Sequence, residues 1–266
     1  MNRRKFLQSS FTASALAGVS LPVSTRAADA GEKIQQELYE LRAYRLKPES
    51  DGAMLHRFLE KAAIPAWNRI GCNPVGVFTE MEPKDGPAVF VLAPHPSMSA
   101  FVQSTARIHA DKAFLADGAE YLEVPKSSPA FLRIDSWLLL AFSGMPKLRQ
   151  PAYSKNRTTR IFELRTYESH SESKAVKKVE MFNAGEIEVM QDVGLGPIFF
   201  GQALSGPSLP HLAYMLSAED RDSHKKHFSA FGGHPTWKKL AADPQYKDTV
   251  SKITGRFLSP TAYSQI

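Results

Sequence analysis

Two short stretches of the 266-residue chain carry the same series of acid, base and phenol. They are Tyr39-Glu40-Leu41-Arg42-Ala43-Tyr44 and Phe162-Glu163-Leu164-Arg165-Thr166-Tyr167, displaced by 123 positions. A guanidinium so placed clamps an anionic or carbonyl group while the phenol donates a hydrogen bond. The carboxylate serves as a base if burial raises its pKa. The same groups can also satisfy one another as internal ion pairs, because a lone buried charge costs several kcal/mol. Strand alternation puts Glu40, Arg42, Tyr44, Glu163, Arg165 and Tyr167 on one face. Tyr39, Leu41, Ala43, Phe162, Leu164 and Thr166 take the other. We expect the apolar face to pack against helices and the charged face to line a polar cavity, the candidate ligand-binding site.

Other reactive side chains rank lower. His109 and His234 follow the second helix of each copy and are candidates either for the pocket or for helix ends. His224 and His227 share a helical face, but Arg221, Lys225 and Lys226 surround them and repel a divalent ion, so a solvated face is expected. No metal site and no cofactor is expected. Cys72, in a Gly-Cys-Asn-Pro turn, has no partner cysteine and reads as a loop thiol. Gly194 and Gly196 precede a strand, whereas phosphate-binding glycines follow one. Trp67 and Trp137 read as core, and Trp237 as packing.

Elements must position these residues, and the chain supplies them twice. The 123-residue shift also takes Ile64 to Ile187, Ile70 to Val193, Gly71 to Gly194 and Pro74 to Pro197. So long a period indicates a duplicated domain. In the first copy 38–46 alternates as a strand, and from Leu55 to Ile70 apolar residues mark one helical face. Pro65 is expected to kink that helix and Gly71 to end it. Strands follow near 75–79 and 88–93, then a helix over 98–116 and a buried strand over 136–142. The second copy repeats this, with helices near 173–192, 218–231 and 235–242. The order βαββαβ, twice, predicts an α+β protein of two tandem ferredoxin-like repeats. Each unit leaves one sheet face bare, and two such faces close a barrel of eight strands, a dimeric α/β barrel arrangement. Packing between two chains as a homo-oligomer stays open.

Residues 1–28 read as an address. Arg3-Arg4-Lys5 precedes a short apolar stretch and small residues at Ala27 and Ala28, the layout of a secretory signal peptide. Asn-Arg-Arg-Lys-Phe-Leu-Gln at 2–8 resembles the twin-arginine (Tat) export motif, which implies export of a folded chain to the periplasm or beyond. The stretch is too short to span a bilayer, so no stable membrane insertion is expected once it is cleaved. The chain carries 33 bases, 27 acids and a net charge of +6. Without the four bases of residues 1–28 the balance falls to +2, which gives no reason to expect nucleic acid as a partner. One cysteine excludes an intrachain disulfide framework.

The repeated Tyr/Phe-Glu-Leu-Arg-x-Tyr strand, the Gly-x-x-Pro turn, the Leu240-Ala241-Ala242-Asp243-Pro244-Gln245-Tyr246 stretch and the closing Arg256–Ser264 strand are similar to the NIPSNAP family. The resemblance covers a first repeat over 37–143 and a second over 159–266, joined by a linker at 144–158. It implies the dimeric α/β barrel superfamily, and it brings no catalytic residues to carry over. Small-molecule binding in a polar barrel interior is the leading expectation. A non-catalytic scaffold for protein partners is the alternative, and a cofactor-dependent monooxygenase-like enzyme a lower one.

Overall fold

The computed structural model describes residues 35–83, 85–150, 156 and 159–266. The export leader expected over 1–28 lies outside the described residues, as do 151–155 and 157–158 of the expected linker.

The first copy runs β1 (Leu38–Arg45), α1 (Ala53–Phe58), a π-helical turn (Leu59–Ala63), α2 (Ile64–Arg69), β2 (Gly76–Glu80) and β3 (Ala88–His95). It continues through α3 (Met98–His109), α4 (Lys112–Asp117), α5 (Ala119–Leu122) and β4 (Arg133–Ala141). The second copy has β5 (Ile161–Glu168), α6 (Glu172–Met181), a second π turn (Phe182–Glu186) and α7 (Ile187–Asp192). Then come β6 (Pro197–Ser205), β7 (His211–Ala218), α8 (Arg221–Gly233), α9 (Pro235–Ala242) and β8 (Lys252–Pro260).

Local chemistry accounts for most boundaries. Ser97, Ser171 and Asp220 cap α3, α6 and α8 by accepting the amides of Ala100, Lys174 and Ser223. Gly71 (φ +94°) and Gly194 (φ +82°) end the first helical segment of each copy in the left-handed region. The helix expected over 98–116 is cut in two, because the Asp111 side chain accepts from the amides of Ala113 and Phe114 and starts α4 afresh. Instead of a sharp kink at Pro65, a π turn precedes it, and Pro65 opens α2 where its missing N–H is least costly. The second copy has the same turn without a proline, so the turn belongs to the repeat and not to that residue.

The sheets close. Strand order around the barrel is β1-β3-β2-β8-β5-β7-β6-β4, each neighbour antiparallel, and the copies join through β2–β8 and β4–β6. The protein is thus an α+β fold in which two tandem ferredoxin-like units share one eight-stranded barrel. Helices cover its outside.

The two faces of β1 and β5 are assigned the other way round from the sequence expectation. Tyr39, Leu41 and Ala43, with Phe162 and Leu164, point into the barrel and join one apolar cluster with Phe78, Phe90, Phe199 and Met215. Tyr39 packs on Phe199 at 5.0 Å between ring centroids and Phe78 on Phe162 at 4.9 Å. Glu40, Arg42, Tyr44, Glu163, Arg165 and Tyr167 point outward, beneath the helices. An eight-stranded barrel is just wide enough for side chains to fill it, so charges inside would have neither water nor room for partners. Ile266, fully buried, closes one end of that interior. No helix among the described residues is long and apolar enough to cross a membrane.

Candidate functional site

In each copy the repeated strand places its charged triplet on the sheet's outer face, where α-helices roof it. In the first copy Arg42 Nε donates to Glu40 Oε1 at 2.7 Å and Nη1 to the Tyr44 hydroxyl at 3.2 Å. In the second, Arg165 Nη1 donates to Glu163 Oε1 at 2.6 Å and Nη2 to the Tyr167 hydroxyl at 3.3 Å. Gly255 makes the second pairing fit, since a Cβ there would stand 2.8 Å from Glu163 Oε1.

Each glutamate also meets a histidine, but from a different element. His95, ending β3, lies 3.5 Å from Glu40 Oε2, whereas His224 of α8 lies 2.9 Å from Glu163 Oε2. Counting from the helix caps, Phe101 takes the place of His224 in the first copy, and its ring meets His95 edge-on at 5.2 Å. His224 is therefore buried against the sheet and not on a solvated face as its basic neighbours suggested. Composition of the helix surface misled here: the lysines and arginine turn outward while His224 turns in.

Behind His95 stands Cys72, its Sγ 3.2 Å from Nδ1. A protonated thiol donating to Nδ1 leaves the ring proton on Nε2, facing Glu40. Burial, reinforced by the Glu40 charge, pushes the thiol up to about 12, so Cys72 stays a thiol and not a nucleophile. Burial also raises the Glu40 carboxyl, but the His95 ring and the Arg42 charge outweigh it and hold it at about 2. Glu40 is thus a permanent anion that fixes Arg42, unsuited to act as a base near neutral pH. Desolvation opposes the charge on both arginines, yet their anionic and phenolic partners raise each above its ordinary value.

The copies differ in what lies above the arginine. In the first, a cavity of about 250 Å³ opens between sheet and helices, with Arg42 and Tyr44 on its floor and Trp67, Tyr121 and His109 among its walls. The Arg42 side chain keeps 25% of its surface and that of Arg165 19%, so the copies differ in the space above the guanidinium and not in its exposure. In the second copy bulkier side chains stand at the corresponding positions. Ala63, Ser104 and Thr105 of the first are Glu186, His227 and Phe228 of the second, by the register of the π turns and helix caps. The Phe228 ring lies 5.1 Å from Arg165 Cζ, and Glu186 pairs with a buried Lys178 at 2.7 Å. Lys178 Nζ also sits 4.7 Å from the Phe182 ring centroid.

Of the eight residues singled out from sequence, Arg42, Tyr44 and His109 line the open cavity and Glu40 supports it from below. Glu163, Arg165 and Tyr167 form the closed counterpart. His234 is not placed with them: it caps α9, Nδ1 accepting from the Thr236 amide at 3.3 Å. His95 was missed, although it continues the outward-facing alternation of Val89, Val91 and Ala93. Trp137, expected in the core, stands half-buried at one end of the barrel.

Comparison with known proteins places this geometry in a setting. A candidate monooxygenase from Lactobacillus acidophilus matches with a TM-score of 0.56 at 10% identity, over 85% of this chain and 94% of its own. A candidate monooxygenase from Fusobacterium nucleatum subsp. nucleatum matches at 0.53 and 11%, over 85% and 93%. At such identities the likeness is one of fold. An uncharacterised NIPSNAP-like domain protein from Burkholderia xenovorans is 18% identical over 40% of this chain and 89% of its own, with a TM-score of 0.36. No curated protein matches the sequence. The NIPSNAP domain itself matches twice, over residues 39–138 and 162–265, which together exceed half of the chain. The chain therefore belongs to the NIPSNAP family, with two copies of the domain fused into one barrel.

Proposed function

We propose that this protein binds a small organic molecule carrying a carboxylate or carbonyl group, in the cleft between sheet and helices of the first repeat. One observation carries the proposal: Arg42 lies on the floor of a cavity of about 250 Å³, while the Phe228 ring stands 5.1 Å from Cζ of its counterpart Arg165. Glu40 and His95 orient Arg42, whose guanidinium meets the ligand's oxygen, and Trp67 and Tyr121 line the cleft beside an apolar body. Both copies are ion-paired, and they differ in what stands above the arginine: a cavity in the first, the Phe228 ring in the second.

Thermal-shift screening of small carboxylates and ketones tests this, with native mass spectrometry of the purified protein. The decisive variant is Thr105→Phe, which writes the second repeat's plug into the first. A ligand that raises Tm in the wild type and fails to do so in Thr105→Phe supports the cleft. Equal responses in both proteins, or none in either, overturn it.

Export is the second part of the proposal, supported by the paired arginines ahead of Phe6-Leu7. Replacing Arg3 and Arg4 by lysine is expected to retain the uncleaved chain in the cytoplasm, as followed by fractionation. Unchanged export would remove the twin-arginine route.

A further inference from the structure

The barrel interior is closed at one end by Ile266 and open at the other, where a cavity of about 190 Å³ enters between the strands. It is separate from the cleft, being bounded by the opposite face of β1. Its floor is apolar: Leu41, Leu164, Phe90 and Ala213. The last two are equivalents, since Phe90 pairs with Ala43 and Ala213 with Thr166. The cavity exists because the second copy carries a methyl group where the first carries a ring.

The wall is just as lopsided. Trp137 on β4 and Arg256 on β8 hold equivalent places, opposite Leu41 and Leu164. Trp137 Nε1 donates to the Pro207 carbonyl at 3.3 Å, and a Cβ at Gly206 would come within 2.7 Å of its ring. Ser208 in the same loop holds φ +62°, a left-handed conformation costly for a non-glycine, with His211 Nδ1 3.1 Å from its carbonyl oxygen. This loop is built to hold the indole at the rim.

Charged pairs line the rim. Lys252 meets Glu168 at 3.0 Å. Arg256 is held by Glu80 and Asp85. Arg45 uses Nε on Asp135 at 3.1 Å, and its buried Nη1 has no hydrogen-bond partner among the described residues. A donor withdrawn from water and left unused beside an apolar cavity is a costly arrangement unless something accepts from it.

We propose that the open end of the barrel is a second binding site, for a small monocarboxylate whose apolar body enters over Leu41, Leu164 and Ala213 against Trp137 while Arg45 takes the carboxylate. The pocket volume suits one ring or a short chain. The inference does not rest on ligand binding in the cleft.

The test uses the full chain and benzoate, with benzylamine as the charge-reversed control. The Trp137 indole N–H resonance, assigned through Trp137→Phe, reports occupancy. Benzoate is expected to shift that resonance saturably with Kd of about 1 mM or tighter, and benzylamine to leave it unmoved. Ala213→Phe fills the floor with the first copy's own residue and is expected to weaken benzoate at least about tenfold. Arg45→Gln should do the same with the fold retained by circular dichroism. Thr105→Phe, which blocks the cleft, should leave the shift intact. No saturable shift with benzoate, an equal response in Ala213→Phe, or a loss confined to Thr105→Phe would each overturn the site. The last outcome would at the same time favour the cleft.

Discussion

Arg42 and Arg165 share a pair of neighbours, a glutamate and a phenol two residues away on either side, and are separated by the side chain above them. Because Phe228 covers Arg165, removing that guanidinium leaves Glu163 buried beside His224 alone. Arg165→Ala is expected to cost about 3–5 kcal/mol in urea unfolding while leaving ligand-induced stabilisation intact. Arg42→Ala should show the reverse emphasis: ligand stabilisation lost, because the clamp is gone from the floor of the cavity. Equal ligand loss in both variants would contradict the asymmetry. The Glu40 carboxyl adds a pH signature. Held at about 2 in the folded chain, it stabilises the fold above the ordinary carboxylate pKa, and that contribution disappears as pH falls through about 4 toward 2. It amounts to on the order of 3 kcal/mol. The stability gap between wild type and Glu40→Gln should therefore be wide at neutral pH and narrow in acid. A gap that stays constant with pH would show that the carboxylate is not what His95 and Arg42 stabilise.

Among the elements, the π turns decide what each cleft contains. A π turn widens the helix by a residue and shifts the side chains that follow it. In the second copy the turn carries Glu186 inward to meet Lys178 from one helical segment earlier, and Gly185 absorbs the distortion with φ +137°. Ala62 holds the equivalent position in the first copy, inside a π turn whose residues all keep helical backbone angles. A side chain at 185 would be forced into the left-handed region, with Thr236 Cγ2 already 3.4 Å from its Cβ. Gly185→Ala is accordingly expected to destabilise the protein by about 1–3 kcal/mol, whereas Ala62→Gly costs about 1 kcal/mol or less. Denaturant titration of both variants measures the difference, and equal costs would refute the strain argument.

The molecule as a whole is two half-barrels that need each other. Phe162, Leu164, Ile198, Phe199, Met215 and Leu258 are all buried in the shared interior. Residues 159–266 expressed alone would expose that surface, a patch far larger than soluble monomers tolerate. Light scattering is expected to find this fragment dimerised or aggregated, and a well-folded monomer would contradict the shared-core account. Fusion of the copies also freed them to diverge, since one chain can keep a cleft open in one unit and use the other for packing. The same divergence leaves Phe90 facing Ala213 within the barrel.

Periodicity and repetition along the chain were enough to determine the duplication, the βαββαβ order, the closing of two sheets into one barrel and the grouping of Glu40, Arg42 and Tyr44 on a single face. Those features follow from local rules: alternation on a strand, apolar spacing on a helix, glycine and proline at turns. Which face turned inward was a different matter. Alternation divides side chains into two sets but does not say which set meets the partner sheet, and here the width of the closed barrel made the choice by admitting apolar groups to its middle and leaving charges to its open rim. Nor does one-dimensional spacing bring His95 and Cys72 to Glu40, or His224 to Glu163, because those contacts join elements far apart in the chain. The open cleft over Arg42 and the Phe228 cover over Arg165 arise from the volumes of side chains on facing helices, a quantity that exists only once the helices have docked.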